Sequence, residues 1–484
     1  MAIVNQFWLT PFVCVALMLG AVPARTEARP PVAGRPNIVL FLADDLGYAE
    51  LACHGHPRVK TPHLDAFARD AVELTRFHVS PICSPTRASL LTGRYSARTF
   101  ADVAYHMHPA EVTMAEMLRD AGYKTGLFGK WHLGDGPGEN AQAQGFEETV
   151  TFPKGKLPAK SYFDPQLIHN GQPQKYDGYC LDVFTAEAIE FIKKHRSEPF
   201  LVYLSANLIH DPLVAPGQYE REYKAAGVKG ELAKVYGMIQ STDANFGRLR
   251  AALKELNLEE NTLLIFASDN GPSVHTVADA ERMGGLHGMK GTAYDGGIRT
   301  PCMMRWPVGF QASHKIDRPA AHIDILPTVL EACGIAAPES VKLDGRSLLP
   351  LLRNPAAPWP ERTIVIQYDS DGPPRREMSF AAVSQQWKLV QPCGAAGSFK
   401  GLDNVYARMS SAQGRGKRSI AGNAPRFELY DVVSDPRETK DLAAEHPEIV
   451  ARLRKDYDAW FQDIEAHGRW RQAAEVNPDP PEKP

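Results

Sequence analysis

Three stretches of the chain are almost uninterrupted apolar runs: Asn37 to Ala43 (Asn-Ile-Val-Leu-Phe-Leu-Ala), Phe200 to Ser205, and Thr262 to Ala267. Each is short and rich in β-branched or large apolar residues, the composition of a strand buried on both faces. Two weaker runs, Thr125 to Phe128 and Met303 to Trp306, read the same way. Between the runs the apolar period becomes helical. Leu64, Phe67, Ala68, Ala71 and Val72 follow a Thr61-Pro62 start, Thr113-x-x-Glu116 forms a capping box closed by Gly122, and Leu181 to Lys194 is a further helix. The longest stripe lies in Glu231 to Leu256, where Leu232, Val235, Ile239, Thr242, Phe246, Leu249, Leu253 and Leu256 alternate steps of three and four. Strands alternating with helices predict an α/β fold, with a large, mostly parallel (mixed) sheet covered by helices on both faces.

The pattern changes near the C-terminus. Arg353 to Glu361 is Pro-rich and reads as a linker. Beyond it, Thr363–Gln367, Ser379–Ser384, Trp387–Val390 and Phe427–Asp431 predict a short antiparallel sheet, and Ile449 to Ile464 a closing helix. Residues 135–180 read mainly as surface loop, 394–424 as a flexible loop and 471–484 as a disordered tail. At the other end, Phe7 to Val22 is too short and too early for a membrane span, and Val22-Pro23-Ala24 offers small residues for cleavage. It reads as a secretory signal peptide, although no Lys or Arg precedes it; a single anchoring helix is the alternative. The expected organisation is a signal at 1–24, a main domain at 36–360, a C-terminal α+β subdomain at 361–470 and the tail. Such a chain is exported, periplasmic or extracellular, with no stable membrane insertion.

At 484 residues and 44% hydrophobic content, the chain can bury a large core. A formal net charge of −3 argues against a nucleic-acid partner, which would favour a basic chain. The seven cysteines fall at 14, 53, 83, 180, 302, 333 and 393. Setting aside Cys14 with the signal and Cys83 for its motif leaves five, an odd number, so this is no disulfide scaffold, and one or two bridges stay open.

Polar groups collect where the strands stop. Asp44-Asp45 follows the first run, Asn207 and His210 the Phe200 run, Asp269-Asn270 the Thr262 run, and Lys130 and His132 the weaker Thr125 run. In a parallel sheet these ends share one edge, where ligands bind. Asp44, Asp45, Asp269 and Asn270 offer only oxygen, which suits a hard cation, Ca²⁺ or Mg²⁺. One Asp after a strand is most often a turn or cap. Two acidic clusters at equivalent ends are different, because crowded carboxylates need a cation. Cys83-Ser84-Pro85-Thr86-Arg87-Ala88-Ser89-Leu90-Leu91-Thr92-Gly93-Arg94 adds a cysteine just before a helix read at Ala88 to Thr92, with Pro85 suited to its first positions and Gly93 to its end. A thiol at a helix N-terminus is favoured as thiolate, yet a lone cysteine is more often structural.

The full Cys-x-Pro-x-Arg string resembles the signature of the type I, formylglycine-dependent sulfatases of the alkaline-phosphatase-like superfamily. Matching segments run from about Asn37 to Leu442. The resemblance implies that a formylglycine-generating maturation enzyme oxidises Cys83 to an aldehyde, with Arg87 retained beside it. Asp44, Asp45, Asp269 and Asn270 match the pairs that bind one Ca²⁺ together with the modified Cys83. Lys130 and His132 match the Gly-Lys-Trp-His-x-Gly motif, and Lys290 a Gly-x-Lys segment before Gly-Gly. His210, in His-Asp-Pro-Leu, matches a family histidine, with Ile209 where proline is frequent. Glu428-Leu429-Tyr430-Asp431 with Asp435-Pro436-x-Glu438 resembles the family's C-terminal domain.

The function so implied is hydrolysis of a sulfate ester, on a sulfated carbohydrate or an aryl sulfate. The hydrated aldehyde attacks sulfur, the metal and Arg87 lowering the cost of the alkoxide; Lys130, Lys290 and Ca²⁺ hold the sulfate oxygens. His210 protonates the leaving alcohol, and His132 takes the second hydroxyl proton as the C–O bond breaks and the aldehyde returns. A phosphate or phosphonate ester hydrolase of the same superfamily, and a non-catalytic binder of sulfated glycans, are the alternatives. His54, His56 and His78 receive no role, and His106 and His108 stay open between substrate contact and solvated loop. The basic run Arg415–Arg418 reads as solvated loop.

Overall fold

The apolar runs become the centre of a ten-stranded sheet. A computed structural model of the chain describes residues 1–2, 35–99, 101, 106–155, 157–273, 280–311, 313–368, 375–376, 379–392 and 427–468. The stretches read as a signal peptide (Phe7–Val22), a flexible loop (394–424, with Arg415–Arg418) and a tail (471–484) lie outside the described residues.

From edge to edge the strands are His314–Ile316, Val72–Leu74, Cys302–Arg305, Thr262–Ser268, Asn37–Ala43, Phe200–Ser205, Lys124–Gly129, Glu148–Thr151, Gln166–His169 and Gln172–Lys175. Thr262–Ser268 through Glu148–Thr151 are mutually parallel. Cys302–Arg305 runs antiparallel to both neighbours, and the last two strands are antiparallel additions, so the sheet is mixed. All seven residues of Asn37–Ala43 are buried because their side chains alternate between two cores. Val39, Phe41 and Ala43 join one with Phe67, Phe184, Ile239 and Phe246, from the helices Pro62–Asp70, Cys180–Lys194 and Leu232–Glu255. Ile38, Leu40 and Leu42 join the other with Leu90, Leu91, Met114, Leu118 and Val329, from the helices Cys83–Thr92, Met114–Asp120 and Ile325–Cys333. Each large apolar side chain so buried contributes roughly 1.5–3 kcal/mol, so a run apolar at every position stabilises both layers.

Several expectations shift. Val72 starts a strand rather than ending the Pro62–Asp70 helix. Thr61 precedes that helix without capping it; the carboxylate of Asp243 accepts from the backbone N–H groups of His63 and Leu64 instead. The Thr113–Glu116 capping box forms as expected. The Cys83 helix is longer than read, Cys83–Thr92, and all ten residues are buried. Within 135–180 the chain makes Glu148–Thr151, Gln166–His169 and Gln172–Lys175; the last is wholly exposed, so no apolar alternation marks it.

The C-terminal sheet is antiparallel throughout, in the order Ile364–Gln367, Phe380–Val383, Trp387–Gln391, Glu428–Asp431. One face packs Val365, Phe380, Ala382 and Leu389 on Leu453, Tyr457 and Phe461 of the helix Pro447–His467. The other packs Ile364, Ile366, Ala381 and Tyr430 on Met289, Tyr294, Ile298 and Ile323. The Arg353–Glu361 stretch is anchored rather than loose, since the guanidinium of Arg346 lies 5.0 Å from the ring centroid of Trp359.

The described cysteines, Cys53, Cys83, Cys180, Cys302 and Cys333, are all free thiols. Among the described residues no helix is long and apolar enough to cross a membrane.

Candidate active site

Register brings the strand ends level. Ala43 lies opposite Ser268, Leu42 opposite Ser205, and Gly129 opposite Ser205, so residues 44, 130, 206 and 269 leave the sheet at one edge. The first groups past that edge close a network. Lys130 Nζ donates to Asp44 Oδ2 at 2.7 Å and Lys290 Nζ to Asp45 Oδ1 at 2.5 Å. Asn270 Nδ2 donates to Asp45 Oδ1 at 2.7 Å, and the Asp45 backbone N–H to Asp269 Oδ1 at 3.1 Å. Arg87 donates through Nε and Nη2 to Asp269 Oδ2 at 3.1 and 2.7 Å, and through Nη1 to the carbonyl of Lys130 at 3.1 Å and to Ser205 Oγ.

Cys83 is the first residue of its helix rather than the one before it, and four positions separate it from Arg87, which places both on one helix face. Its Sγ is 3.2 Å from His132 Nδ1. His132 has a φ of 57°, and the hydroxyl of Ser84 donates to its carbonyl at 2.8 Å. Two glycines make this fit. A Cβ on Gly129 would lie 1.9 Å from the carbonyl oxygen of Ser205, and one on Gly155 would lie 1.9 Å from His132 Cδ2. Ligand atoms of His210, Asp44 and Asp45 fall within 4.8 Å of one another, as do those of Asp44, Cys83 and Asp269. His210 Nδ1 is 2.8 Å from the carbonyl oxygen of Asp211, and Tyr162 OH donates to the carbonyl of His210 at 3.3 Å.

Burial and charge oppose each other throughout. Burial resists the charge on Asp44, but Lys130, with His210, Arg87 and Lys290 behind it, holds its carboxyl below the usual carboxylate range. Asp269 is pushed the other way, by burial first and the nearby Asp44 second. Burial also resists charge on Lys130 and Lys290, yet Asp44 and Asp45 respectively keep both firmly ammonium. His132 is held well below an ordinary histidine by burial, then by Lys130 and Arg87, so it is neutral at pH 7. The Cys83 thiol is lowered despite burial because Lys130 and Lys290 face it.

The donor set fits a hard cation on structural grounds. Asp44 Oδ1, Asp45 Oδ2 and Asn270 Oδ1 are buried and accept no hydrogen bond. Buried oxygens left unmatched are costly, and three of them beside crowded carboxylates suit an oxygen-loving ion.

All but one of the residues singled out at the strand ends, with Cys83, Arg87 and Lys290, gather in this one cluster. Asn207 does not; its side chain meets Cys180 Sγ at 3.6 Å. His106 pairs with Glu139 at 2.8 Å, and His54 with Glu73 at 2.9 Å. Sequence reading missed Ser205, Ser268 (whose Oγ accepts from the backbone N–H of Leu46 at 3.1 Å) and Gly155. It also missed a buried clamp, in which Glu50 accepts from Gly47 N–H at 2.8 Å and from Arg282 Nε at 2.6 Å, while Arg282 reaches the carbonyl of Ser273.

The chain is similar to known proteins over most of its length. Residues 36–335 match the family model described as Sulfatase, and 285–403 match N-sulphoglucosamine sulphohydrolase, C-terminal. The chain is 34% identical to arylsulfatase A of Homo sapiens, over 91% of this chain and 89% of that protein. It is 28% identical to N-acetylgalactosamine-6-O-sulfatase of Bacteroides thetaiotaomicron, over 87% and 92% respectively. Among solved structures it is similar to Ps i-CgsB in complex with k-i-k-neocarrahexaose, at 25% identity and a TM-score of 0.75, covering 88% of this chain and 92% of that one.

Proposed function

The chain belongs to the sulfatase family and is a sulfuric ester hydrolase, and from that premise we propose that the Cys83 cluster is its reaction centre and a sulfated carbohydrate its natural substrate. The observation that carries this reading is the convergence of Cys83, His132, two lysines and an oxygen-only acidic set at one sheet edge. The sugar is supported by the N-acetylgalactosamine-6-O-sulfatase likeness and by the oligosaccharide bound to Ps i-CgsB.

Asp44, Asp45, Asp269 and Asn270, together with the group at Cys83, are the residues that would hold Ca²⁺. When bound, the ion offsets negative charge on oxygens gathered around it. An aldehyde made from Cys83 by a maturation enzyme supplies, once hydrated, a hydroxyl nucleophile and a route for sulfate to leave without a second attack on sulfur. Arg87 is fixed on its guanidinium edges by Asp269, Ser205 and the Lys130 carbonyl, so it presents a permanent positive charge with no reorganisation. Lys130 and Lys290, both ammonium, bind and orient the non-bridging sulfate oxygens. His132, neutral and 3.2 Å from position 83, accepts a proton there through Nδ1. His210 donates its Nδ1 proton to the Asp211 carbonyl, which leaves Nε2 to pass a proton to the departing alcohol.

Leaving-group dependence tests these assignments. A sugar alkoxide leaves poorly and needs an acid; nitrophenolate does not. His210→Ala is expected to lower kcat on a sugar sulfate by ~10²–10⁴-fold, the range for general acid catalysis, and to lower it much less on nitrophenyl sulfate. Lys290→Ala is expected to hurt both alike. Equal losses for His210→Ala on the two substrates would make it a sulfate-binding residue.

We also propose export, on the strength of Phe7–Val22. N-terminal sequencing of the mature protein is expected to begin near Arg25; an intact Phe7–Val22 in membrane fractions would replace the signal peptide with an anchor.

A further inference from the structure

The Asp435-Pro436-Arg437-Glu438 motif takes no part in the chemistry above, yet it ends in a buried carboxyl group. Glu438, 1% exposed, accepts the Asp295 backbone N–H through Oε2 at 2.9 Å. Lys388, on the strand Trp387–Gln391 and fully buried, puts its Nζ 2.6 Å from Asp295 Oδ1 and 2.7 Å from Glu438 Oε1. His78 Nε2 lies 3.6 Å from the same Asp295 oxygen. A buried lysine between two carboxylates is expensive, and apolar residues of similar volume commonly serve stability as well. Such a group therefore invites a positional explanation.

The position is the turn Asp295–Ile298, which touches three segments of the reaction centre. Its Gly297 carbonyl accepts from Gly271 N–H at 2.9 Å, next to Asn270. Its Ile298 carbonyl accepts from Val79 N–H at 2.8 Å, on the segment leading to Cys83. Its Gly296 N–H donates to the His287 carbonyl at 2.6 Å, at the start of the loop carrying Lys290. That loop is tied at Lys290 N–H to the Pro272 carbonyl and at Gly291 N–H to the Pro81 carbonyl, 3.2 and 2.9 Å. Apolar packing of Met289 and Tyr294 on Ile366 and Tyr430 presses the loop onto the C-terminal sheet, and the Tyr294 hydroxyl donates to Glu428 Oε2 at 2.7 Å, so the ionic group is a second directional tie between loop and sheet.

We propose that Lys388, Asp295 and Glu438 are positioning residues, a buried ionic latch by which the C-terminal sheet fixes the Lys290 loop against the Asn270 and Cys83 segments. This rests on the reading of Lys290 as a sulfate-binding residue. Loosening the latch displaces the Lys290 ammonium from where sulfate oxygens sit, and small displacements of this kind weaken binding steeply.

The test is the inhibition constant of inorganic sulfate, with KM and kcat for nitrophenyl sulfate, on the matured full-length enzyme. Glu438→Gln keeps the side-chain volume and replaces the carboxyl that faces Lys388 with an amide. It is expected to raise the sulfate inhibition constant and KM by about tenfold while kcat changes less, because a binding group is misplaced and the reacting group is not. Lys290→Ala is expected to raise both at least as far. A normal sulfate constant in Glu438→Gln beside a raised one in Lys290→Ala overturns the latch alone, and a lowered melting temperature would then mark Glu438 as structural. Normal constants in both variants overturn the reading of Lys290 and the latch with it. Should Glu438→Gln not fold, Glu438→Asp, one methylene shorter, is expected to shift the sulfate constant in the same direction; wild-type affinity there overturns the proposal.

Discussion

Replacing Cys83 with alanine is expected to reduce sulfate ester hydrolysis by about 10⁶-fold, the scale of removing an enzyme's nucleophile. The argument rests on the field at that position. The thiol is buried, which by itself discourages a negative charge, and still Lys130 and Lys290 draw it below its ordinary range. Whatever anion forms at position 83, thiolate or alkoxide, meets the same two ammonium groups, with His132 Nδ1 at 3.2 Å to take a proton. An unmodified thiolate could attack sulfur once, but its product would need a second attack on sulfur to turn over, which is why the aldehyde is expected. Peptide mass spectrometry of active enzyme should find the aldehyde at 83, and protein from a host without the maturation enzyme should be inactive. Full activity with only unmodified cysteine present would sink the aldehyde. Full activity in Cys83→Ala would take residue 83 out of the reaction.

The second large effect concerns the cation. Exhaustive chelation, or Asp44→Ala, is expected to lower kcat/KM by at least about 10³-fold, several kcal/mol of lost transition-state charge stabilisation. The fold should survive the loss of the ion, because Asp44 and Asp45 keep Lys130 and Lys290 as partners without it. A readout independent of turnover follows from mass action. An ion that binds only the folded chain stabilises it by about 2.7 kcal/mol at one hundred times its dissociation constant, so Tm should climb with Ca²⁺ concentration. Metal analysis should find about one divalent ion per chain. An unshifted Tm across millimolar Ca²⁺, with full activity after verified chelation, would leave the three unmatched oxygens of Asp44, Asp45 and Asn270 without an occupant.

How far the sequence could be read depended on whether a signal was local. Asn37–Ala43, Phe200–Ser205 and Thr262–Ser268 are buried on both faces, so each announces itself as an apolar run, and topology puts the residues past the first and the last, Asp44 and Asp269, at the same sheet edge, where they join one network. The stripe of Leu232–Glu255 was equally legible, since one face of 24 residues repeats the same period. Gln172–Lys175 was not, because an exposed edge strand of polar residues has no buried face to pattern. The Glu50–Arg282 clamp was invisible for another reason: its partners stand 232 positions apart, and nothing in either neighbourhood names the other. Asp243 took the capping duty expected of Thr61, accepting from Leu64 N–H across 179 positions. Pairing across such distances is decided by packing, which a single sequence does not display.

The excursion from 135 to 180 braces both histidines at once. Gly155 lies flat against the ring of His132, and Tyr162 holds the carbonyl of His210. Relatives that differ in substrate invite exchange of such surface excursions as modules. Here the piece that would be exchanged is also part of the frame. A donor segment must bring a bare backbone to the imidazole at one point and a phenol to the other strand end seven residues on, or it imports a new specificity into a misaligned machine. Diversification of this enzyme by loop grafting is therefore confined to the parts of the excursion that lie beyond those two contacts.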